Sequence, residues 1–305
     1  MNENLLIALS ILSAVALLLV LVLKLKLNAF VALLITSIYV GVVTQMPLAN
    51  IMKSIQNGMG STLGYVSVIV GLGAIMGKFL EHSGGAETIA KTLILKWGEK
   101  RAPWALVLTG FIIAIPVFLD VGFIIMVPVI YALGKNKPIL YFAIPLLAGL
   151  AVTHSFIPPT PGPVAVADIL NAPLGWVIIF GFIAGVPTAI IAGPVFGRFI
   201  SKRITVSAIE RVDISENRKI QTSFSQVIFI IGLPIVLILA NTLTDVLVSK
   251  DIVSASAFVS VIQFLGHPFS ALIITTLLAI FLLGKRKGLS SNEIADLSSS
   301  ALAPA

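Results

Sequence analysis

Residues 104–133, WALVLTGFIIAIPVFLDVGFIIMVPVIYAL, form a 30-residue apolar stretch with a single charged residue, Asp120, and two prolines, Pro116 and Pro128. A straight helix of this length would extend for about 45 Å, whereas the hydrocarbon core of a bilayer is roughly 30 Å thick. The stretch therefore either crosses a membrane once as a long helix or enters and returns as a re-entrant hairpin. Each arm of such a hairpin would have about 15 residues, too few to cross fully.

The distribution of basic residues favours the hairpin. If residues 104–133 enter and return, 18 of the 20 lysines and arginines lie on one side of the membrane, leaving only Lys53 and Lys250 on the other. If the stretch crosses once, the split becomes 12 against 8. Because basic residues accumulate on the cytoplasmic side, the sequence predicts a re-entrant hairpin and a periplasmic N-terminus. This count requires that the weak apolar run near residues 255–265 does not cross.

The composition of the whole chain is typical of a membrane protein. Of its 305 residues, 58% are hydrophobic and 11% are charged, too few charges to cover the surface of a soluble domain. The net charge of +7 comes from basic residues at the ends of apolar runs, where they set topology, so we expect no nucleic-acid partner. The predicted spans cover residues 5–23, 27–46, 58–80, 139–157, 174–197, 226–240 and 269–284.

Motifs of soluble catalysts are missing from the sequence. There is no cysteine, and therefore no disulfide, thiolate metal site or cysteine nucleophile. Neither a P-loop, a zinc-protease motif nor a nucleophile elbow occurs. An enzyme embedded in the membrane would need clustered acids or a nucleophile–base pair, and only Asp120 and His154 lie at that depth. The sequence predicts no enzymatic activity, no cofactor and no metal ion.

Glycines and prolines mark two unusual segments of the chain. Residues 58–80 are apolar but contain six glycines, which indicates close packing or a broken helix; an amphipathic piece over residues 47–57 precedes them. Residues 158–163, PPTPGP, hold four prolines and cannot be helical interior, which predicts a broken helix followed by a short helix over 164–171. A plain periplasmic loop is the alternative for this second segment.

The broken helix supplies the candidate substrate-binding residues. Unwound backbone at membrane depth is tolerated where it lines a cavity, and the positive end of the following helix favours an anionic carboxylate. His154 titrates near neutrality and is a candidate for a proton relay or for bonding a hydroxyl group, although it could equally hold two helices together. The candidates for substrate binding are Thr153, His154, Ser155, Thr160 and Gly162.

Asp120 is the candidate for proton coupling, together with His154. No other charged residue lies within 14 positions on either side of it. A lone carboxylate at membrane depth costs about 2.5 kcal/mol or more, which makes it a functional candidate by default. The alternative is a structural role, in which the carboxylate caps a helix at the tip of the hairpin.

The order of the elements predicts an internal repeat. Two spans and an amphipathic piece open the chain, and two spans with a weaker amphipathic piece at 292–302 recur after residue 225 in the opposite orientation. We therefore expect a first repeat over 1–224, which ends in a cytoplasmic loop at 198–224, and an incomplete second repeat over 225–305. Any two helical hairpins look alike at this level, which is the alternative interpretation.

Three stretches of the chain carry a resemblance to a known family: residues 70–74 leading to 83–87, then 115–122, and finally 156–163, which is the most specific. With these stretches the sequence resembles the gluconate permease family of bacterial solute–proton symporters, and the resemblance extends over essentially the whole chain. It implies proton symport of gluconate or a related compound, inverted repeats, paired re-entrant hairpins and an elevator-like motion. It also places Asp120 at the acidic position of the first hairpin.

Two departures from the family pattern leave alternatives open. Many members have histidine where Thr160 stands, and some carry other substrates, including D-serine. Members are also longer, by about the part that the second repeat lacks, so a non-transporting truncated fragment is the competing hypothesis.

The predicted fold class is an all-α polytopic membrane protein, an inverted-repeat transporter with a re-entrant hairpin, a broken helix and an incomplete second repeat. The expected location is the bacterial inner membrane. Expected partners are a small anionic sugar acid, a proton and membrane lipid, with homo-oligomerisation left open.

Overall fold

The computed structural model describes residues 3–134, 138–204, 222–254 and 256–302, and these form α-helices joined by short connections. Most of the predicted cytoplasmic loop, residues 205–221, lies outside the described residues. The helices are α1 (Glu3–Leu19), α2 (Ala29–Val43), α3 (Leu48–His82), α4 (Gly85–Trp97), α5 (Ala102–Ile113), α6 (Leu119–Leu133), α7 (Leu140–Phe156), α8 (Pro161–Ile169), α9 (Leu174–Ile190), α10 (Phe196–Ile200), α11 (Phe224–Ser249), α12 (Ala257–Gly266), α13 (Pro268–Ala279) and α14 (Ser291–Ala301).

Six of the described helical segments are long and apolar enough to cross a membrane. Large apolar side chains point outward from them, for example Leu12 with 67% and Phe180 with 62% of its surface exposed. Such a surface suits lipid, because acyl chains solvate apolar groups that water would not. The predicted all-α polytopic membrane fold is confirmed. The six segments are Leu5–Lys24, Leu48–His82, Leu140–Ile169, Leu174–Ile200, Phe224–Ser249 and Pro268–Lys287.

The chain divides into two compact units, Met1–Tyr65 and Val66–Ala305, with the boundary inside α3. Within the first unit, the Asn28 side chain caps α2 by accepting a hydrogen bond from the Phe30 N–H at 2.9 Å. Gly41 of α2 leaves room for the side chain of Ile51. The compact units therefore differ from the predicted repeats, which stay a prediction.

The glycine-rich segment is part of one continuous helix. The sequence predicted a separate amphipathic piece at 47–57, which is wrong, and left two alternatives open for residues 58–80, close packing or a broken helix. Helix α3 runs unbroken through 35 residues from Leu48 to His82. Glycine weakens a helix by only about 1 kcal/mol per residue, a cost that packing in the second half of α3 offsets. There, Gly73 faces Pro159 and Gly77 faces the carbonyl oxygen of Pro116, so close packing is the correct alternative.

The directions of α5, α7 and α9 follow from two sets of contacts. Gly185 in α9 contacts Phe111 near the end of α5. Gly193, in the π-helical turn that continues α9, contacts Val107, which is closer to the beginning of α5. The same order holds for α7, so α5 and α7 both run antiparallel to α9 and parallel to each other. The contacts are those of Gly185 with Phe111 and Val152, and those of Gly193 with Val107 and Pro145.

Helix α6 follows α5 in the chain and runs back along α7. Gly122, near its beginning, contacts Leu150 near the end of α7, while Gly134, just after its end, lies beside Ile139 before the start of α7. Helix α6 is thus antiparallel to α7, and residues 102–133 form a helical hairpin whose tip covers residues 114–118. This is the geometry that the re-entrant prediction requires.

Helices α5 and α7 cross at glycines. A Cβ atom at Gly149 would overlap the carbonyl oxygen of Val107, and one at Gly110 would overlap that of Leu146. Small residues at a helix crossing let two backbones approach closely, and the approach supplies van der Waals contact in a setting where water cannot drive association. The hairpin is thereby held against the helix that leads to the proline-rich break.

We expect Gly149→Ala to destabilise the protein by about 1–3 kcal/mol, because the added methyl group has no space between α5 and α7. Thermal unfolding of the purified protein in detergent measures the change. Gly232→Ala on α11 is the matched control, since a Cβ atom there meets nothing within 4 Å. Equal melting temperatures for Gly149→Ala and the unmodified chain would contradict the close crossing.

The weak apolar run near residues 255–265 forms α12, which has ten residues and is too short to span a bilayer. It folds back along α11: the Gln263 amide donates to the Asp245 carboxylate at 2.7 Å, and Gly266 lies against the carbonyl oxygen of Leu237. Helix α12 alone therefore does not cross, as the charge count required.

Helix α14 begins with a capping box formed by Ser290 and Glu293. Glu293 lies within electrostatic range of His82, and Leu302 at the other end of the helix lies against Gly71. Helix α14 therefore runs antiparallel to the second half of α3.

Candidate functional site

The predicted break separates α7 from α8. Helix α7 ends at Phe156 and α8 begins at Pro161, so residues 157–160 form the irregular segment. The break is shorter than the predicted 158–163 because Pro161 and Pro163 lie in the first turn of α8. Proline fits this turn, since its fixed φ suits a helix and its missing N–H has no intrahelical acceptor there.

Three segments that are distant in the sequence meet at one small cleft, with a cavity volume of about 20 Å³. Helix α3 contributes Val70, Gly73 and Ala74, and the hairpin tip contributes residues 115–118. Residues 159–161 of the break and His154 complete the lining. Most of this surface is apolar, so the few polar groups at the cleft decide what it binds.

Two glycines of α3 bring the walls of the cleft together. Gly77 contacts the carbonyl oxygen of Pro116 at the hairpin tip, and a Cβ atom there would overlap that oxygen. Gly73 faces the ring of Pro159, which a Cβ atom would meet at 3.5 Å. A larger side chain at Gly77 would move the hairpin tip away from α3 and open the cleft.

His154 in the last turn of α7 is a polar group lining the cleft. Its ring packs edge-on against Phe118, with 6.0 Å between the ring centroids. Its Nδ1 atom is buried and has no hydrogen-bond partner among the described residues. Buried polar atoms of folded proteins nearly always have a hydrogen-bond partner, because leaving one unpaired costs free energy. The Nδ1 atom is therefore a candidate for a hydrogen bond to a ligand.

Asp120 lies in the first turn of α6, next to the hairpin tip, and its side chain is exposed. Its carboxylate is close enough to interact electrostatically with His154. Helix α6 has no side-chain cap, and within the described part of the chain the Asp120 carboxylate makes no hydrogen bond. The predicted alternative, a carboxylate that caps the helix, is therefore not what the structure shows. The hairpin and the break bring together the two residues proposed for proton coupling.

The remaining predicted binding residues differ in their positions. Thr153 is fully buried, and its hydroxyl donates to the carbonyl oxygen of Phe111 at 2.9 Å, which joins α7 to α5. Thr160 lines the cleft, and its hydroxyl donates to the carbonyl oxygen of Ile157 at 2.7 Å. Ser155 and Gly162 are exposed at the edges of the break. The cleft thus contains His154 and Thr160, whereas Thr153 holds two helices together.

The first turn of α8 offers one backbone donor at the edge of the cleft. Pro161 and Pro163 have no N–H, and the N–H of Val164 already donates to the carbonyl oxygen of Thr160 at 3.3 Å. The N–H of Gly162 remains, with open space around its Cα. Together with the positive end of the helix dipole, it is suited to a single carboxylate oxygen.

Three residues that line the cleft or hold its walls together were not singled out from the sequence. Phe118, Gly73 and Gly77 take their roles from partners at least 36 positions away in the chain: His154, Pro159 and Pro116. The six glycines signalled close packing of α3, but nothing in the sequence distinguishes the packed glycines from Gly58, Gly60 and Gly64, which have nothing within 4 Å.

A multi-pass helical membrane protein in which a hairpin tip meets a broken helix at a cleft has the architecture of a membrane transport protein. The chain belongs to the GntP permease family: the family model described as "GntP family permease" matches residues 5–305. The predicted family resemblance is thus confirmed, and with it a multi-pass inner-membrane protein.

Individual relatives are named as transporters and not as enzymes. The high-affinity gluconate transporter of Escherichia coli (strain K12) is 40% identical over 287 residues, which cover 92% of this chain and 64% of that protein. The gluconate permease of Bacillus subtilis (strain 168) is 36% identical over 294 residues, 93% of this chain and 66% of that protein. The Gnt-II system L-idonate transporter of Escherichia coli (strain K12) is 36% identical over 289 residues, 93% of this chain and 65% of that protein. The chain thus spans about two thirds of the length of these relatives. No solved structure matches it.

Proposed function

We propose that the protein imports gluconate or a related small hydroxy-acid across the inner membrane by proton symport, with its N-terminus in the periplasm. The observation that carries the proposal is the convergence of α3, the hairpin tip and the broken helix at one cleft beside Asp120 and His154. The substrate class rests on relatives named for gluconate and L-idonate transport.

The substrate carboxylate binds at the start of α8. The Gly162 N–H and the helix dipole supply the attraction, and no lysine or arginine is among the described residues that line the cleft. Hydroxyl groups of the substrate donate hydrogen bonds to the Nδ1 atom of His154 or to the hydroxyl oxygen of Thr160. The Thr160 oxygen can accept such a bond while its own hydrogen atom is donated to the backbone carbonyl of Ile157. An anion held by so few donors depends on the charge of the groups beside it.

Proton binding controls that charge. With Asp120 ionised and His154 neutral, the pair carries one negative charge and repels an anionic substrate. When one proton binds, the net charge of Asp120 and His154 together becomes zero. The positive end of the α8 dipole then attracts the carboxylate of the substrate. The proton and the anion therefore bind together, so that a pH gradient drives import and uptake rises as the external solution becomes more acidic.

Uptake of labelled gluconate by proteoliposomes that contain the 305-residue chain tests the proposal. With an acidic exterior, we expect accumulation that exceeds that of protein-free liposomes and collapses when a protonophore is added. L-idonate in excess should compete, and D-serine should not. Absence of uptake would favour the hypothesis of a non-transporting fragment, and uptake that ignores the pH gradient would refute symport.

We expect His154→Gln to lower gradient-driven gluconate uptake by roughly tenfold or more, because the amide can bond a hydroxyl group but cannot share a proton with Asp120. Uptake by this variant should also lose its dependence on external pH. His82→Gln, at the end of α3 and outside the cleft, is the matched control. A pH profile of His154→Gln identical to that of the unmodified chain would contradict the role of the ring in coupling.

A further inference from the structure

A groove at the end of α10 lies outside the substrate cleft and carries three cations. Its volume is about 350 Å³, and its lining consists of Val195, Arg198, Phe199, Lys202 and Arg203. All five side chains are exposed. The groove lies at the end of the membrane-spanning segment Leu174–Ile200, which places it near the level of a membrane surface.

The described residues of the protein make little use of these cations. Basic side chains near a helix C-terminus often cap its free carbonyl groups. Here the carbonyl oxygens of Gly197 and Ile200 already accept hydrogen bonds from backbone N–H groups of residues 201–204, and that of Arg198 accepts one from the Ser201 hydroxyl. Within the described ranges, no carboxylate forms an ion pair with Arg198, Lys202 or Arg203.

Aromatic residues shape the same groove. The guanidinium of Arg203 lies 3.5 Å above the centre of the Phe199 ring, a cation–π contact that fixes its position. The Phe199 ring stacks on Phe196 with 6.3 Å between centroids. About half of the surface of each ring is exposed, as is 55% of Val195. Positive charge and apolar surface are therefore adjacent, as in the headgroup region of a membrane.

We propose that this groove binds the phosphodiester headgroup of an anionic phospholipid. The three cations complement the phosphate and the net negative charge of such a lipid, and Val195 with Phe199 gives its acyl chains an apolar wall. A soluble anion would make no use of that wall. The predicted topology places the groove at the cytoplasmic leaflet. The site is independent of the substrate cleft and goes beyond the proposed transport function.

Native mass spectrometry of the purified 305-residue chain, with phosphatidylglycerol or phosphatidylcholine added to the micelles, tests the site. We expect phosphatidylglycerol to be retained in preference to phosphatidylcholine. In the triple variant Arg198→Gln/Lys202→Gln/Arg203→Gln, the fraction of protein that retains phosphatidylglycerol should fall by roughly tenfold or more. Each cation near a lipid surface contributes to the attraction of an anionic headgroup. The matched control is Lys96→Gln/Lys100→Gln/Arg101→Gln, which removes equal charge from exposed positions on the same predicted side.

The outcomes separate the lipid from other occupants. Loss of phosphatidylglycerol in the groove variant, with retention in the control variant, supports the site. Equal retention by the groove variant and the unmodified chain would overturn it, and so would equal loss in both variants, which would indicate a general effect of charge. Displacement of the lipid by inorganic phosphate or gluconate at millimolar concentration would also overturn the proposal, since it would assign the groove to a soluble anion.

Discussion

Asp120→Asn is expected to abolish the accumulation of gluconate against its concentration gradient while exchange of gluconate across the membrane continues. The amide keeps the size of the side chain but cannot carry a proton, so the cleft no longer couples binding of the anion to protonation. Proteoliposomes separate the two activities: accumulation is driven by an acidic exterior, and exchange is measured with equal pH and labelled gluconate on one side only.

Asp168→Asn is the matched control for this variant. Asp168 is a half-buried carboxylate on α8, outside the cleft lining, and its replacement should leave accumulation within about twofold of the unmodified chain, as surface changes usually do. Undiminished accumulation by Asp120→Asn would remove this residue from the coupling mechanism. Loss of exchange together with accumulation would assign Asp120 to substrate binding and not to coupling.

Gly77→Ala is expected to have the second large effect, because the added methyl group would overlap the carbonyl oxygen of Pro116. The hairpin tip must move away from α3, and a displacement of about 1 Å at a binding site can lower a rate by roughly 10²-fold. We also expect a loss of stability of about 1–3 kcal/mol. Gluconate uptake and thermal unfolding measure the two effects.

Gly64→Ala tests whether the effect of Gly77→Ala comes from the contact with Pro116 or from replacing any glycine of α3. It lies on the same helix, α3, at a position where a Cβ atom meets nothing within 4 Å. Because alanine favours a helix over glycine by about 1 kcal/mol, this control should be neutral or slightly stabilising. If Gly77→Ala also transports at the unmodified rate, the hairpin tip does not seal the cleft against α3.

The sequence predicted two structural elements correctly, from local composition and the length of an apolar stretch. The break after α7 follows from the prolines of residues 158–163, and the hairpin follows from the length of residues 104–133 together with the positions of the basic residues. The continuity of α3 was not predictable in this way. Glycine content lowers helix propensity but does not reveal that neighbours such as Pro116 and Pro159 will offset it.

The candidate site was predictable in its charged members and less so in its hydroxyl groups. Asp120 and His154 stand out because ionisable groups are rare in apolar segments. Thr153, Ser155 and Thr160 looked equivalent in the sequence, but only Thr160 lines the cleft, since the turn that ends α7 aims Thr153 at α5. Which face of a helix meets a neighbour depends on partners distant in the chain.

The most direct test of the cleft is protection of a single thiol. The chain has no cysteine, and Gly162 has open space around it, so Gly162→Cys introduces one reactive side chain at the start of α8 without other changes. Gly64→Cys, equally open on α3, serves as the control. We expect gluconate to slow the reaction of a maleimide with Gly162→Cys and not with Gly64→Cys. Equal reaction rates with and without gluconate at Gly162→Cys, in protein that still transports, would contradict substrate binding in this cleft.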